Sequence, residues 1–267
     1  MANQMFIYAC AYNLAQKKQT EFCLSDISDL KYFKLSKNEH LRNKLKYFLF
    51  RISNILFHNY TFLHLQDNFK DHTTTLSFCS KNTWFYGYFQ GEHYFVEYKN
   101  DIRKKFEIKE IYKKEFQQLK QYQNLNKKLV AVHIRRNDYK ILDFKELEGP
   151  DLSIPVSYYQ KVLSSYINDN NYSIIFLSDE IDMVEKEFSF IKNAVFSKNK
   201  AIVDLQILIN ANILILSNST FSWWGAWLNN KPEKIIFVPK YFLGFKVKKE
   251  YPVNIIPDNW IQIDVNE

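Results

Sequence analysis

Glycine is scarce in this 267-residue chain, which has five: Gly87, Gly91, Gly149, Gly225 and Gly244. None belongs to a GxGxxG or GxxxxGKS/T run, which excludes the usual phosphate loops of dinucleotide oxidoreductases and P-loop NTPases. HExxH is missing. So is Asp-x-Asp, the carboxylate pair with which many sugar transferases hold a divalent cation, and metal-free chemistry is expected. The three cysteines, Cys10, Cys23 and Cys79, are odd in number and widely spaced, so they offer neither a disulfide framework nor a CxxC site and are expected to be reduced, mostly buried thiols. There is no run of about 18 apolar residues, and the first residues lack a charged segment followed by an apolar stretch and a small-residue cleavage site. The expected location is therefore the cytoplasm.

What is present is a large apolar fraction, 46%, and a net charge of +7. The first allows a substantial core, and the second suggests an acidic partner: a nucleotide, an anionic membrane surface or a nucleic acid. Basic residues cluster in RKKFEIKEIYKK (103–114) and FKVKKEY (245–251), which also suit solvated helix faces. The segment 41–57 has Leu41, Leu45, Phe48, Leu49, Ile52, Ile55 and Leu56 on one helical face, with Arg42, Lys44, Lys46 and Arg51 largely elsewhere. Such a helix either faces a core or rests on anionic lipid. No RNA- or DNA-binding module is recognisable and the basic residues are scattered, so a nucleic-acid binder is the weaker reading and no nucleic-acid partner is expected.

The pattern changes near residues 123–128. Before it, helical periodicity dominates at 8–18, 41–57 and 101–122. After it, apolar runs at 129–134, 173–177, 212–216 and 235–238 alternate with helix-like segments at 155–168, 181–190, 202–211 and 220–229. That alternation predicts an α/β domain with a parallel sheet covered by helices on both faces. Two domains are expected, 1–128 and 129–267. Ligands of such sheets bind beyond the carboxyl ends of the strands, where the turns hold His133 to Asp138, Ser178 to Glu180 and Ser217 to Thr220.

Two of these turns carry the chemistry. HIRRNDY (133–139) sets two arginines at the end of an apolar strand, and LSNSTFSWWGAWLN (216–229) reads as strand, hydroxyl-rich turn and aromatic helix. Guanidinium groups grip phosphate bidentately, and a helix N-terminus offers N–H groups and a positive dipole end to the same anion. Arg135 is the candidate for a diphosphate leaving group. Arg136, its neighbour, is expected to point the other way and hold the loop. Ser219 and Thr220 suit a helix cap, with Asn218 shaping the turn. Trp223, Trp224 and Trp227 are expected mostly in the core.

HIRRNDY, FLSDE (176–180), the block from Val203 to Asn229, GYFQGEHYF (87–95) and NQMFIYACAYNLA (3–15) together resemble, in content and order, the bacterial α-1,2-fucosyltransferases of glycosyltransferase family 11. The resemblance implies a GT-B-like fold of two Rossmann-like halves, with an acceptor-facing 1–128 and a donor-binding 129–267. It implies inverting transfer of L-fucose from GDP-β-L-fucose to the 2-hydroxyl of a terminal β-galactoside, with no metal or other cofactor. The expected partners are GDP-fucose and a galactose-terminated oligosaccharide, a lipid-linked one included, with peripheral contact to an anionic membrane. A metal-independent GT-B transferase of different linkage or donor is the alternative. Donor contacts carry over to Asn3, Gln4, His133, Arg135, Arg136, Asp179, Asp204, Asn218, Ser219, Thr220 and Phe221, with Asp204 placed to receive the guanine N–H groups. Asp138 is expected to orient the arginines. Asp143 is the candidate general base, with Asp138 and Glu92 as competitors. The chain departs from the family where MANQMF replaces a Gly-rich opening strand and turn, where Asn137 replaces a glycine, and at Gly91, where serine is common.

Overall fold

The computed structural model describes residues 1–35, 37–57, 60–118, 127–192 and 194–265. The chain forms two compact units, Met1–Lys109 with Pro252–Ile255, and Glu110–Tyr251 with Ile256–Glu267. The boundary thus falls before the expected 128/129, and the reason is visible in the packing of the first helix of the second unit. That helix, α5 (Glu110–Gln117), lies against α8 (Ala201–Asn210) of the same unit: Gln206 donates Nε2–H to the Tyr112 carbonyl at 3.0 Å, and Lys200 pairs with Glu115 at 2.8 Å.

The first unit contains α1 (Ala2–Lys17), α2 (Lys37–Phe57), β1 (Thr61–His64), α3 (Thr73–Phe78), β2 (Thr83–Tyr86) and α4 (Lys99–Lys105). Its strands form a two-stranded parallel ribbon. Its core is aromatic, with Phe6, Phe33, Phe95 and Phe106 buried and Phe33 edge-on to Phe106 at 5.2 Å. The single helix expected over 101–122 breaks after Lys105, because Phe106 and Ile108 are drawn into this core. Residues 107–109 run extended beside 32–34, with Lys34 N–H donating to the Glu107 carbonyl at 2.7 Å and Lys109 N–H to the Tyr32 carbonyl at 3.0 Å. Residues 119–122 of that expectation lie outside the described residues. Cys10 is buried and Cys23 and Cys79 are partly so, all three as free thiols.

Helix α2 departs from a core-facing role. It packs on its own unit through Asn43, Tyr47 and Phe50: Asn43 exchanges two hydrogen bonds with the Leu24 backbone, and the rings of Tyr47 and Phe50 lie 5.9 and 4.8 Å from Trp84. Its apolar stripe faces solvent, with Leu41 69%, Leu45 56%, Phe48 59%, Leu49 54%, Ile52 39% and Ile55 68% exposed.

The second unit continues through β3 (Lys128–Ile134), α6 (Val156–Leu163), β4 (Tyr172–Ser178), α7 (Ile181–Glu187), β5 (Val195–Phe196), α8 (Ala201–Asn210), β6 (Ile213–Ile215), α9 (Thr220–Leu228), β7 (Ile235–Pro239) and β8 (Ile261–Ile263). The strands form one parallel sheet in the order β5-β4-β3-β6-β7-β8. Val130, Val132, Ile134, Ile174, Phe176, Ile213 and Ile215 form one core with Tyr158, Tyr159, Val184 and Phe188 of α6, α7 and the residue after α7. The alternate positions Ala131, Ile175 and Leu214 are buried as well, as a sheet covered on both faces requires. Trp223, Trp224 and Trp227 are buried, with Trp223 and Trp227 stacked at 6.2 Å and Trp260 beside them. Gly225 permits the close approach of α9 to α8, since a Cβ there would sit 2.5 Å from the Leu208 Cβ.

Strand order places the site. The chain runs outward from β3 to β4 and β5, then crosses back to lay β6 against the opposite edge of β3. The crevice beyond the carboxyl ends of β3 and β6 is the point where the winding reverses, and connections leave it in opposite directions. HIRRNDY follows β3 and SNST follows β6, so both turns rise at that crevice.

Candidate active site

Residue alternation at the end of β3 sorts the side chains. His133 is buried on the α9 side, where its Nδ1 shares a 2.9 Å hydrogen bond with the Ser217 hydroxyl and its ring lies 5.4 Å from Phe221. Burial, with the nearby Arg135 charge adding to it, pushes the His133 pKa down to about 3. The imidazole is neutral at physiological pH, so it stitches the two turns together and brings no positive charge to an anion.

Arg135 is about one-third exposed. Its Nε donates to Asp138 Oδ1 at 3.0 Å and lies 3.3 Å from Asp179 Oδ2, and the guanidinium carbon stands 5.6 Å over the Tyr139 ring. Burial alone would lower its pKa, but the hydrogen bond to Asp138 and the charges of Asp179 and Asp138 outweigh that and raise it. Asp138 therefore sits where it orients Arg135. The Tyr139 hydroxyl donates to the Asn218 carbonyl at 3.2 Å, which fastens the arginine loop to the turn before α9.

Arg136 goes to the other side of the sheet. Its guanidinium forms a bidentate pair with Glu187 of α7, at 2.7 and 2.6 Å, and its backbone N–H donates to Asp179 Oδ1 at 3.0 Å. With both terminal nitrogens committed to Glu187, Arg136 ties the loop after β3 to α7, whereas Arg135 keeps its guanidinium at the crevice. Asp179 serves both arginines, one through backbone and one through side chain.

Ser219 caps α9, its Oγ accepting from the Phe221 N–H at 3.3 Å, while its carbonyl accepts from Trp223 N–H and the Ser222 hydroxyl. Asn218 is fully buried and donates Nδ2–H to the Leu152 carbonyl at 2.8 Å, so it holds the turn to the loop that follows HIRRNDY. Thr220 and Phe221, partly exposed, open the helix at the crevice. The first-turn amides and the positive dipole end of α9 thus share a rim with the Arg135 guanidinium.

Asp204 lies in the first turn of α8, where its Oδ1 accepts from the Ser197 hydroxyl at 2.5 Å and Ser197 also receives Asn199 Nδ2–H. Burial pushes its pKa up to about 6, against the Ser197 hydrogen bond, which lowers it. For a carboxylate raised in the fold, the stabilising contribution is complete below the unfolded value and is lost as pH rises through about 6. The penalty at neutral pH is at most about 3 kcal/mol. Asp204→Asn is accordingly expected to raise Tm at pH 8 and to change it little at pH 4, which thermal melts at the two pH values would check.

Asp143 is exposed on the loop after β3, close against Gly149, where an added Cβ would lie 2.9 Å from its Oδ1. Asn3, Gln4 and Glu92 belong to the first unit. There Asn3 Oδ1 accepts from Gln90 and Gln4 bonds Asp26 and the Asp29 N–H. Among the described residues no three of His, Cys, Asp and Glu are grouped to hold a metal.

Ser217 is marked in the sequence only as part of the rim turn, and Tyr139 and Glu187 carry no assigned role there. The first two stand inside the quoted motifs, so their proximity was available. Glu187 lies 51 residues beyond Arg136 on a different element, and no local pattern marks that pairing.

In comparison with solved structures, the chain is similar to POFUT1 in complex with GDP-fucose, with a TM-score of 0.50 and 10% identity over 88% of this chain and 93% of that one. The fucosyltransferase NodZ from Bradyrhizobium is similar at a TM-score of 0.50 and 10% identity, covering 84% of this chain and 88% of that one. At these identities the likeness concerns the fold, which is GT-B-like. Two curated relatives come from Escherichia coli. An α-1,2-colitosyltransferase is 30% identical over 191 residues, 67% of this chain and 62% of that protein. The O-antigen biosynthesis glycosyltransferase WbnK is 31% identical over 150 residues, 52% of this chain and 45% of that one. The chain thus matches between about half and three-fifths of the length of these curated relatives. The sequence profile of glycosyl transferase family 11 matches residues 1–263, taking in the arginine loop, the capped helix and nearly all of both units, and the chain belongs to that family.

Proposed function

We propose that this chain is an inverting, metal-independent glycosyltransferase that moves L-fucose from GDP-β-L-fucose to the 2-hydroxyl of a terminal β-galactoside. Its work belongs to the assembly of a surface glycan on a lipid carrier at the cytoplasmic side. The observation that carries this reading is the meeting of Arg135 and the capped N-terminus of α9 at the reversal point of the sheet, tied together by Tyr139–Asn218 and His133–Ser217. Two independent anion-stabilising devices converge there, as departure of a nucleoside diphosphate requires. Membership of the family and the names of its relatives support the sugar chemistry.

In the proposed reaction the bond between the fucose anomeric carbon and the β-phosphate oxygen breaks, and its electron pair goes to the phosphate. Charge grows on that oxygen as the sugar acquires oxocarbenium character, and Arg135 with the α9 amides stabilises it. The acceptor 2-hydroxyl attacks from the opposite face and its proton passes to a carboxylate, for which Asp143 is the candidate. A dissociative transition state makes little demand on that base. Asp143→Asn is therefore expected to lower kcat roughly tenfold, below the usual 10²- to 10⁴-fold for a positioned base. Unchanged turnover in single-turnover assays would remove Asp143 from the role.

Asp204 is proposed to receive guanine N1–H and N2–H₂ through its two carboxylate oxygens, which requires the ionised form. Donor KM is then expected to rise as pH falls through about 6, where Asp204 protonates, and Asp204→Asn should flatten that dependence. A pH series of initial rates gives the answer.

A second reading concerns the donor. Because one relative is an α-1,2-colitosyltransferase, nucleotide-linked colitose is the competing substrate. Parallel assays with the two donors and one galactoside acceptor decide by the ratio of kcat/KM.

A further inference from the structure

We propose that helix α2 is an interfacial anchor that lays the protein on an anionic lipid bilayer. The helix is oriented backwards for a core element. At about 100° per residue, the positions that hold it to its own unit, Glu39, Asn43, Lys46, Tyr47 and Phe50, fall on one side. Glu39 accepts from the Tyr8 hydroxyl and pairs with Lys105, and Lys46 pairs with Glu21, in addition to the Asn43 and ring contacts on the same side. Leu41, Leu45, Phe48, Leu49, Ile52 and Ile55 fall on the opposite side and are each between 39% and 69% exposed. They make a stripe about 21 Å long at the helical rise of ~1.5 Å per residue. Six large apolar side chains in one unbroken row differ from the scattered apolar exposure common on soluble surfaces.

Charge selects the occupant. Residues 37–57 carry five basic residues, Lys37, Arg42, Lys44, Lys46 and Arg51, against one acid, Glu39, and that acid is already paired. Lys44 and Arg51 flank one edge of the stripe and Arg42 the other, the arrangement in which basic side chains reach headgroup phosphates while the row between them enters the acyl boundary. A second copy of the chain would bring the same excess of positive charge to the contact, which disfavours self-association by this face. No described helix is long and apolar enough to cross a membrane, so the helix would lie in the interface plane.

The test is flotation of the full chain with phosphatidylcholine vesicles, with and without phosphatidylglycerol. Wild type is expected to float with the anionic vesicles and to stay behind with the neutral ones. Leu45→Glu/Phe48→Glu and Lys44→Glu/Arg51→Glu should each lower anionic-vesicle binding at least about tenfold. Both change exposed positions, so Tm should move little, and the two pairs attack the anchor by different chemistry should one of them unfold. Failure of wild type to float with anionic vesicles, or floating that neither pair weakens, overturns the proposal. So does a dimer in light scattering that Leu45→Glu/Phe48→Glu dissociates while wild type ignores lipid. None of these readouts depends on which sugar is transferred.

Discussion

Arg135→Ala is expected to lower turnover with GDP-fucose about 10²- to 10³-fold, the usual cost of removing one preorganised group aimed at developing charge. Two features make the loss large. The guanidinium is fixed before any donor arrives, by Asp138 on Nε, by the nearby Asp179 and by the Tyr139 ring beneath it, so little reorganisation accompanies reaction. Removing it also takes away the guanidinium that offsets the charges of Asp138 and Asp179 beside the leaving diphosphate, and donor KM should rise along with the fall in kcat. Arg135→Lys keeps the charge and loses the fork, so it should recover only part of the rate. Because Arg135 is partly exposed, Tm should change little in either variant, which separates chemistry from folding. Rates near wild type for Arg135→Ala would move the diphosphate to another place.

Arg136→Ala should behave in the opposite way, losing stability first. The residue is 7% exposed and its two terminal nitrogens meet both Glu187 oxygens, which ties the loop after β3 to α7 across the face of the sheet. Deleting one partner leaves the other charge without its pair in a half-buried site. Full burial would cost about 3–5 kcal/mol, and the partial exposure of Glu187 reduces the expectation to about 2–4 kcal/mol. For a chain of this size that is a fall in Tm of roughly 4–16 °C. Glu187→Ala should cost a similar amount, and the double variant less than the sum, since both remove one interaction. Residual activity in Arg136→Ala should follow the folded fraction. A variant with unchanged Tm and a 10²-fold loss of rate would return Arg136 to the donor.

Much of the second unit is legible in the chain because its signals are local. LVAVHI, SIIFL, NILIL and IIFV are short apolar runs punctuated by polar turns, and they become β3, β4, β6 and β7. The edge strands β5 and β8 are not marked in this way: Val195–Phe196 is only two residues long, and Ile261–Ile263 is largely exposed. The site follows the same division. Arg135, Asp138 and Ser219 are visible as motif residues at strand ends, and the opposed directions of Arg135 and Arg136 follow from alternation. The Arg136–Glu187 pair arises only from tertiary packing and leaves no periodic trace.

The first unit is less legible for a different reason. Its periodicity marks the second half of α1 and most of α2, but α1 begins at Ala2, α3 leaves no periodic trace, and the break at Phe106 is imposed by aromatic neighbours far along the chain, Phe33 and Tyr8. The stripe on α2 has the same apolar spacing whether it faces a core or a bilayer, and only its exposure in the folded chain separates the two. Asp204 shows the limit in electrostatics. An acid in the first turn of a helix is ordinarily a dipole partner with an unremarkable pKa, and the burial that raises this one to about 6 becomes visible only in three dimensions.

The most direct test of the central claim is acceptor-dependent GDP release from GDP-fucose in the presence of EDTA. Lactose or N-acetyllactosamine would serve as acceptor, wild type would be compared with Arg135→Ala, and the linkage of the product would be read by mass spectrometry and NMR. The account predicts release that survives EDTA, an α-1,2-linked product and a collapse of 10²-fold or more in the variant. Release abolished by EDTA and restored by a divalent cation, or equal rates in the two proteins, would contradict it.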